Sequence, residues 1–106
     1  MAQTVVATGA TAISASTLVY SSATAAIYSA LIDLTPMSAD TDLNIKISNC
    51  TIVSSGLKTV TIDYFTGSQD DPMYLIPAQH SNKGFSITIV KSAGTTPTVP
   101  WEITTF

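Results

Sequence analysis

Three stretches of this chain alternate between two sets of residues with a period of two, which is the repeat of a β-strand and of no helix. Leu43, Ile45 and Ile47 alternate with Asn44, Lys46 and Ser48. Val60, Ile62 and Tyr64 alternate with Thr59, Thr61 and Asp63. Phe85, Ile87 and Ile89 alternate with Ser86, Thr88 and Val90. Successive side chains of a strand point to opposite faces, so each run predicts a half-buried strand with its apolar set inward and its other face wet. On that reading Tyr64 faces the core and Phe65, next to it, faces outward.

The rest of the sequence favours the same structure. Thr (17) and Ser (13) make up 30 of 106 residues, and Thr, Val, Ile and Tyr fit pleated surfaces because branching or bulk at Cβ restricts them in a helix. Weaker strands are expected at Gln3–Thr8, Ala12–Tyr20, Ala26–Leu34, Met73–Ile76 and Trp101–Thr105. Ile27, Leu31 and Leu34 recur at helical spacing, but Tyr28, Ile32 and the flanking Thr and Ser favour a strand there. The strand Leu43–Val53 is expected to take in Cys50. Turn residues separate the runs at Gly9, Pro36–Asp42, Ser54-Ser55-Gly56, Gly67–Pro72, Ser81–Gly84 and Gly94–Pro100. The fold class expected is all-β: an antiparallel, jelly-roll-like β-sandwich of about seven or eight short strands. Residues 1–106 form a single domain, with residues 1–10 available as an N-terminal arm.

Charge is scarce and unevenly placed. No Asp, Glu, Lys, Arg or His occurs before Asp33, and only 10% of the chain is charged against 45% hydrophobic. An ordinary globular domain carries about a quarter charged residues. A surface of Ser, Thr and Ala suits a subunit covered by other subunits. Lys46, Lys58, Lys83 and Lys91 are the only basic residues besides His80, so no basic patch follows a phosphate backbone, and direct nucleic-acid binding is not expected. The first third is interrupted by Ser and Thr too often for a membrane span of about 20 apolar residues, and its start lacks the form of a signal peptide.

Catalytic and ligand-binding constellations are thin. His80, the single histidine, lies in Gln79-His80-Ser81-Asn82, read as a loop, with no nucleophile context of the Gly-x-Ser-x-Gly kind. No enzyme activity and no cofactor are expected. Asp40-Thr41-Asp42 and Asp70-Asp71 offer oxygen ligands but lack the spacing of a calcium loop, and they read as turn residues. Asn49-Cys50-Thr51 has the form of a glycosylation sequon inside a predicted strand. The lone Cys50 reads as a small buried side chain. Trp101, the only tryptophan, either anchors an interface or closes the sandwich.

The segment Phe85-Ser86-Ile87-Thr88-Ile89-Val90-Lys91-Ser92-Ala93-Gly94-Thr95-Thr96-Pro97-Thr98-Val99-Pro100-Trp101 resembles the C-terminal strand-loop-strand of small tailed-phage virion proteins. In that pattern a hydrophobic strand leads into a polar residue, Ala-Gly-Thr, a short spacer, and an aromatic after proline. Ser92, Ala93, Gly94, Thr95, Pro100 and Trp101 occupy those places. Thr96-Pro97-Thr98-Val99 replaces a spacer that in the family often holds a basic residue and an aromatic. Met73-Tyr74-Leu75-Ile76-Pro77 followed by Gly84 is similar to the strand that precedes this unit. The likeness covers about 20 of 106 residues.

This resemblance implies a β-sandwich subunit on the capsid exterior, made in the host cytoplasm. Such subunits decorate or cement capsids, commonly as homotrimers bound to the major capsid protein, or form parts of head fibres and tails. Contacts are expected from the uncharged N-terminal segment Ala2–Ala7, with Gln3 and Val5, and from Pro100 and Trp101. The N-terminal arm would add a strand to a neighbour's sheet. The alternative is a carbohydrate or host-surface module of a fibre, in which Tyr20, Tyr28, Tyr64, Phe65 or Tyr74 build a flat sugar-binding platform.

Overall fold

A computed structural model of the chain describes residues 3–50 and 57–106. The described residues form eight strands and no helix: β1 (Thr4–Ala12), β2 (Ser16–Ser22), β3 (Ala26–Asp33), β4 (Asp42–Asn49), β5 (Lys58–Thr66), β6 (Met73–Ser81), β7 (Phe85–Ala93) and β8 (Thr98–Thr105). No helix among them is long and apolar enough to cross a membrane. The strands make two four-stranded antiparallel sheets, ordered β1-β8-β3-β6 and β2-β7-β4-β5. Every connection except that from β4 to β5 passes from one sheet to the other, and the two orders together are those of a jelly roll.

The core lies between the sheets. Ile32 and Ile103 from the first sheet meet Leu43, Ile45, Ile47, Ile87 and Ile89 from the second, all buried. The β4 and β7 alternation therefore has the expected sense. Tyr28 on β3 stacks on Phe85 of β7, with ring centroids 4.9 Å apart and planes 7° from parallel. Its hydroxyl escapes burial without a partner by donating to the Thr24 carbonyl at 2.5 Å.

Alternation misleads on β5. Val60, Ile62 and Tyr64 point outward, Tyr64 with 76% of its surface exposed, while Asp63 and Phe65 are half-buried. The register explains the reversal. Leu43 pairs with Phe65 and Ile45 with Asp63, so these share the inner face, whereas Asn44 pairs with Tyr64 and Lys46 with Ile62 on the outer face. A central strand such as β4 fixes the sense, because turning it would expose three core residues; the edge strand β5 follows it.

Four local readings also change. Gly9 lies within β1 rather than in a turn, paired with Trp101. The segment taken as an N-terminal arm is, from Thr4 onward, edge strand β1 bonded to β8 of its own sheet, which leaves no free strand to donate. β6 continues through Pro77 to Ser81, so His80 is a strand residue opposite Ile27. Pro77 is accommodated because the register shifts there, between the Ala30–Ile76 and Tyr28–Gln79 pairs of an edge strand. β8 begins at Thr98, so Pro100 is inside it, just past the end of the β3 pairing at Trp101. The expected continuation of β4 through Thr51–Val53, the turn Ser54-Ser55-Gly56, the Thr51 end of the sequon, and Ala2 lie outside the described residues.

Candidate functional site

Of the four residues expected to make contacts, Trp101 is the most firmly held. Its ring is half-buried on the inner side of β8, where Nε1 donates to Thr11 Oγ1 at 3.0 Å. The ring passes over Gly9, so closely that a Cβ there would stand 2.8 Å from Cζ2. Tyr20 of β2 meets it from the opposite sheet, with centroids 6.1 Å apart at 52°. Trp101 thus closes the β1–β2 end of the sandwich. Pro100 faces the other way and lines a shallow outer depression of about 210 Å³ with Leu31, Asp33, Met73 and Glu102. Gln3 precedes β1 and is exposed; Val5 is exposed and opposite Thr104, farther along the β1–β8 pair from Trp101. The structure therefore brings Pro100 and Trp101 beside Gly9 and Ala10, and leaves Gln3 and Val5 apart from them.

The acidic turns are internally bonded. Asp40 accepts from Ser38 Oγ at 2.6 Å and from Thr95 Oγ1 at 3.2 Å, and these bonds hold its carboxyl below the ordinary carboxylate range. Asp70 and Asp71 are exposed in the β5–β6 connection. Among the described residues no three His, Cys, Asp or Glu side chains converge in a way that could hold a metal ion. His80 is exposed on the outer side of β6. Cys50 is buried directly after β4, and its backbone N–H donates to Ser81 Oγ at 2.9 Å.

The five aromatics proposed for a sugar platform do not share an exposed plane. Tyr28 is in the core, Tyr20 packs on Trp101, and Phe65 and Tyr74 meet edge-to-face at 5.1 Å between the sheets. Tyr64 alone of the five is exposed.

The surface that sequence reasoning missed is apolar and lies on the outside of both sheets. On the first, the register aligns Thr8, Glu102, Leu31 and Leu75 in one row across all four strands; Leu75 is 62% exposed. On the second, Leu18, Thr88, Lys46 and Ile62 form the matching row. Met73 next to Leu75, and Val60 and Tyr64 next to Ile62, enlarge the two patches where edge strands β6 and β5 lie. The outward sense of Val60, Ile62 and Tyr64 could have been found only by knowing the β4–β5 register, since alternation gives the spacing of a face and not its direction.

By architecture the described chain is an eight-stranded jelly-roll sandwich with apolar residues exposed on both outer faces. Compared with family models, with curated proteins and with solved structures, it matches none of them.

Proposed function

We propose that this chain is a structural, non-enzymatic subunit of a tailed-phage particle, which self-associates as a trimer and binds the major capsid protein to reinforce the shell. The observation that carries the reading is the pairing of jelly-roll strand order with apolar residues exposed on the outside of both sheets. Viral capsid domains use this architecture, although lectins do too, so the strand order supports the reading only together with the surface. Large apolar side chains clustered on a surface favour contact with another protein. A charge content of 10% adds to this, because few ions would lose water when such faces are covered. Many weak identical contacts on a lattice hold by avidity, since a trimer seated at one site keeps its other sites close.

The test is quantitative mass spectrometry of particles purified from cells in which the encoding genome is expressed. The chain is expected in the particles at copy numbers comparable with the major capsid protein. Its absence from intact particles would overturn the reading.

A further inference from the structure

A further cavity, of about 210 Å³, opens between the sheets where β2 leads into β3. It is lined by Tyr20 and Ser22 of β2, Ala26 and Tyr28 of β3, Thr105 of β8, and Thr24 of the β2–β3 connection. Val6, which the register shift in β1 leaves opposite no residue of β8, lines it as well. Five of these seven side chains carry a hydroxyl, and none is charged.

The hydroxyls of Ser22 and Tyr28 are tied to Thr24 in a closed circuit. Tyr28 Oη donates to the Thr24 carbonyl at 2.5 Å, so its one proton is committed. The 3.0 Å bond between Ser22 Oγ and Tyr28 Oη is therefore donated by Ser22, whose oxygen in turn accepts from the Thr24 backbone N–H at 3.2 Å. What this pair offers the cavity is lone pairs and no proton. Tyr28 is 1% exposed and stacks on Phe85, so its oxygen is fixed in place before any ligand arrives. The hydroxyls of Tyr20, Thr24 and Thr105 have no hydrogen-bond partner among the described residues, and each can donate or accept.

These groups define the ligand. It is uncharged, because no side chain in the cavity offsets a charge taken out of water. It brings protons to Ser22 and Tyr28, and elsewhere it both donates and accepts, as sugar hydroxyls do. Val6, Ala26 and the Tyr20 ring supply apolar surface for the C–H groups of a sugar, and the Tyr20 ring is held by its contact with Trp101. Sites for drug-sized molecules start at about 300 Å³, so this smaller volume suits a single ring. We propose that the cavity binds one pyranose ring of an uncharged sugar, with Ser22 Oγ and Tyr28 Oη accepting from its hydroxyls. The site is a cleft between the sheets and not a flat aromatic platform, and it does not rest on the capsid reading above.

NMR titration of the isotope-labelled chain with the methyl glycosides of glucose, galactose, mannose and N-acetylglucosamine tests it. At least one is expected to give saturable shifts at Ser22, Thr24 and Thr105, with a Kd of about 1–10 mM. Tyr28→Phe keeps the ring stacked on Phe85 and removes the acceptor; Ser22→Ala removes the other. Each is expected to weaken binding about tenfold, with urea unfolding as the check that the fold is kept. Cyclohexanol, a ring of the same size with one hydroxyl, and methyl glucuronide, which carries a carboxylate, are expected not to bind. No saturable shift from any of the four glycosides at about 50 mM overturns the site. Cyclohexanol binding as tightly as the glycosides, or full affinity retained in both variants, shows that the hydroxyls do not read the ligand and also overturns it. A trisaccharide ending in the bound sugar separates two sources of the same ring. Binding as tight as that of the methyl glycoside supports the site as a receptor for a glycan end, and exclusion supports it as a receptor for the free sugar.

Discussion

Tyr74 donates its hydroxyl hydrogen bond to the Asp63 carboxylate across the gap between the sheets, at the end where neither β5 nor β6 has a further strand beside it. The same ring meets Phe65 edge-on, so one side chain latches the open end by an apolar contact and a charge-assisted bond. Partial burial, followed by the bond to Asp63 and its charge, holds the Tyr74 hydroxyl far above its ordinary value of 10. In the unfolded chain the proton is released near pH 10, while the folded chain keeps it. Stability from this group is therefore complete below pH 10 and falls as pH rises beyond it. Tyr74→Phe is expected to cost about 1 kcal/mol near neutrality. Urea titrations from about pH 9 to about pH 11 should show the native chain losing its advantage over the variant. A difference independent of pH would mean that the bond does not form.

The reversed sense of β5 makes a second prediction. Ile45→Ala removes a fully buried side chain and is expected to cost about 2–5 kcal/mol. Ile62→Ala trims a side chain with 44% of its surface exposed, and in monomer it should stay within about 1 kcal/mol of the native chain. Chemical denaturation at a concentration too low for self-association separates the two. Equal, large losses at both positions would restore the inward reading of Ile62.

The same pair of residues shows how far the sequence could be read. Spacing alone identified β4, β5 and β7, and the β4 and β7 faces came out with the right sense because Ile45, Ile47, Ile87 and Ile89 belong to central strands. β5 has an equally clean pattern, but an edge strand takes its direction from its neighbour, and that register is a long-range property. Local rules make Gly9 and Pro100 breaks. Each sits within a strand for a tertiary reason: the Trp101 ring covers Gly9, and the β3 ladder ends before Pro100. Trp101 itself was legible as either anchor or core, and its bond to Thr11 and contact with Tyr20 place it as the closure of the β1–β2 end. The two outer patches were illegible for the reason that hid β5: the rows that assemble them cross four strands.

Gly9 gives a third prediction, with Trp101 as its reporter. A Cβ at position 9 would come within 2.8 Å of the indole and 3.1 Å of Cε2, so Gly9→Ala must displace the ring. Overpacking of this kind costs about 1–3 kcal/mol. The displacement would also strain the bond from Nε1 to Thr11 at 3.0 Å. Since Trp101 is the sole tryptophan, its fluorescence reports the site without interference. Emission shifted to the red, together with a lower urea midpoint, is the expected result. Unchanged emission in a destabilised variant would place the strain elsewhere.

The connection between β3 and β4 docks on the connection between β7 and β8, and Asp40 takes part in the joint through both its carboxylate and its backbone carbonyl. Its carboxylate accepts from Ser38 within its own loop and from Thr95 in the other. Its backbone carbonyl sits so near Gly94, which has φ of +88°, that a Cβ there would lie 2.1 Å from the oxygen. Gly94→Ala therefore meets both left-handed strain and a backbone clash, and a loss of roughly 2–4 kcal/mol is expected. The carboxylate adds an acid dependence whose sign follows from its lowered pKa. The bond from Ser38, and then that from Thr95, favour the charged form in the folded chain. Their contribution is complete above the ordinary value of 3.8 and fades as pH falls through the lower folded value. Asp40→Asn removes that titration. Between about pH 5 and about pH 3 the native chain should lose stability more steeply than the variant. Parallel acid profiles would show that Asp40 is not held by these hydroxyls in solution, leaving the Gly94 packing and the bond from Thr41 Oγ1 to the Thr95 carbonyl to join the two loops.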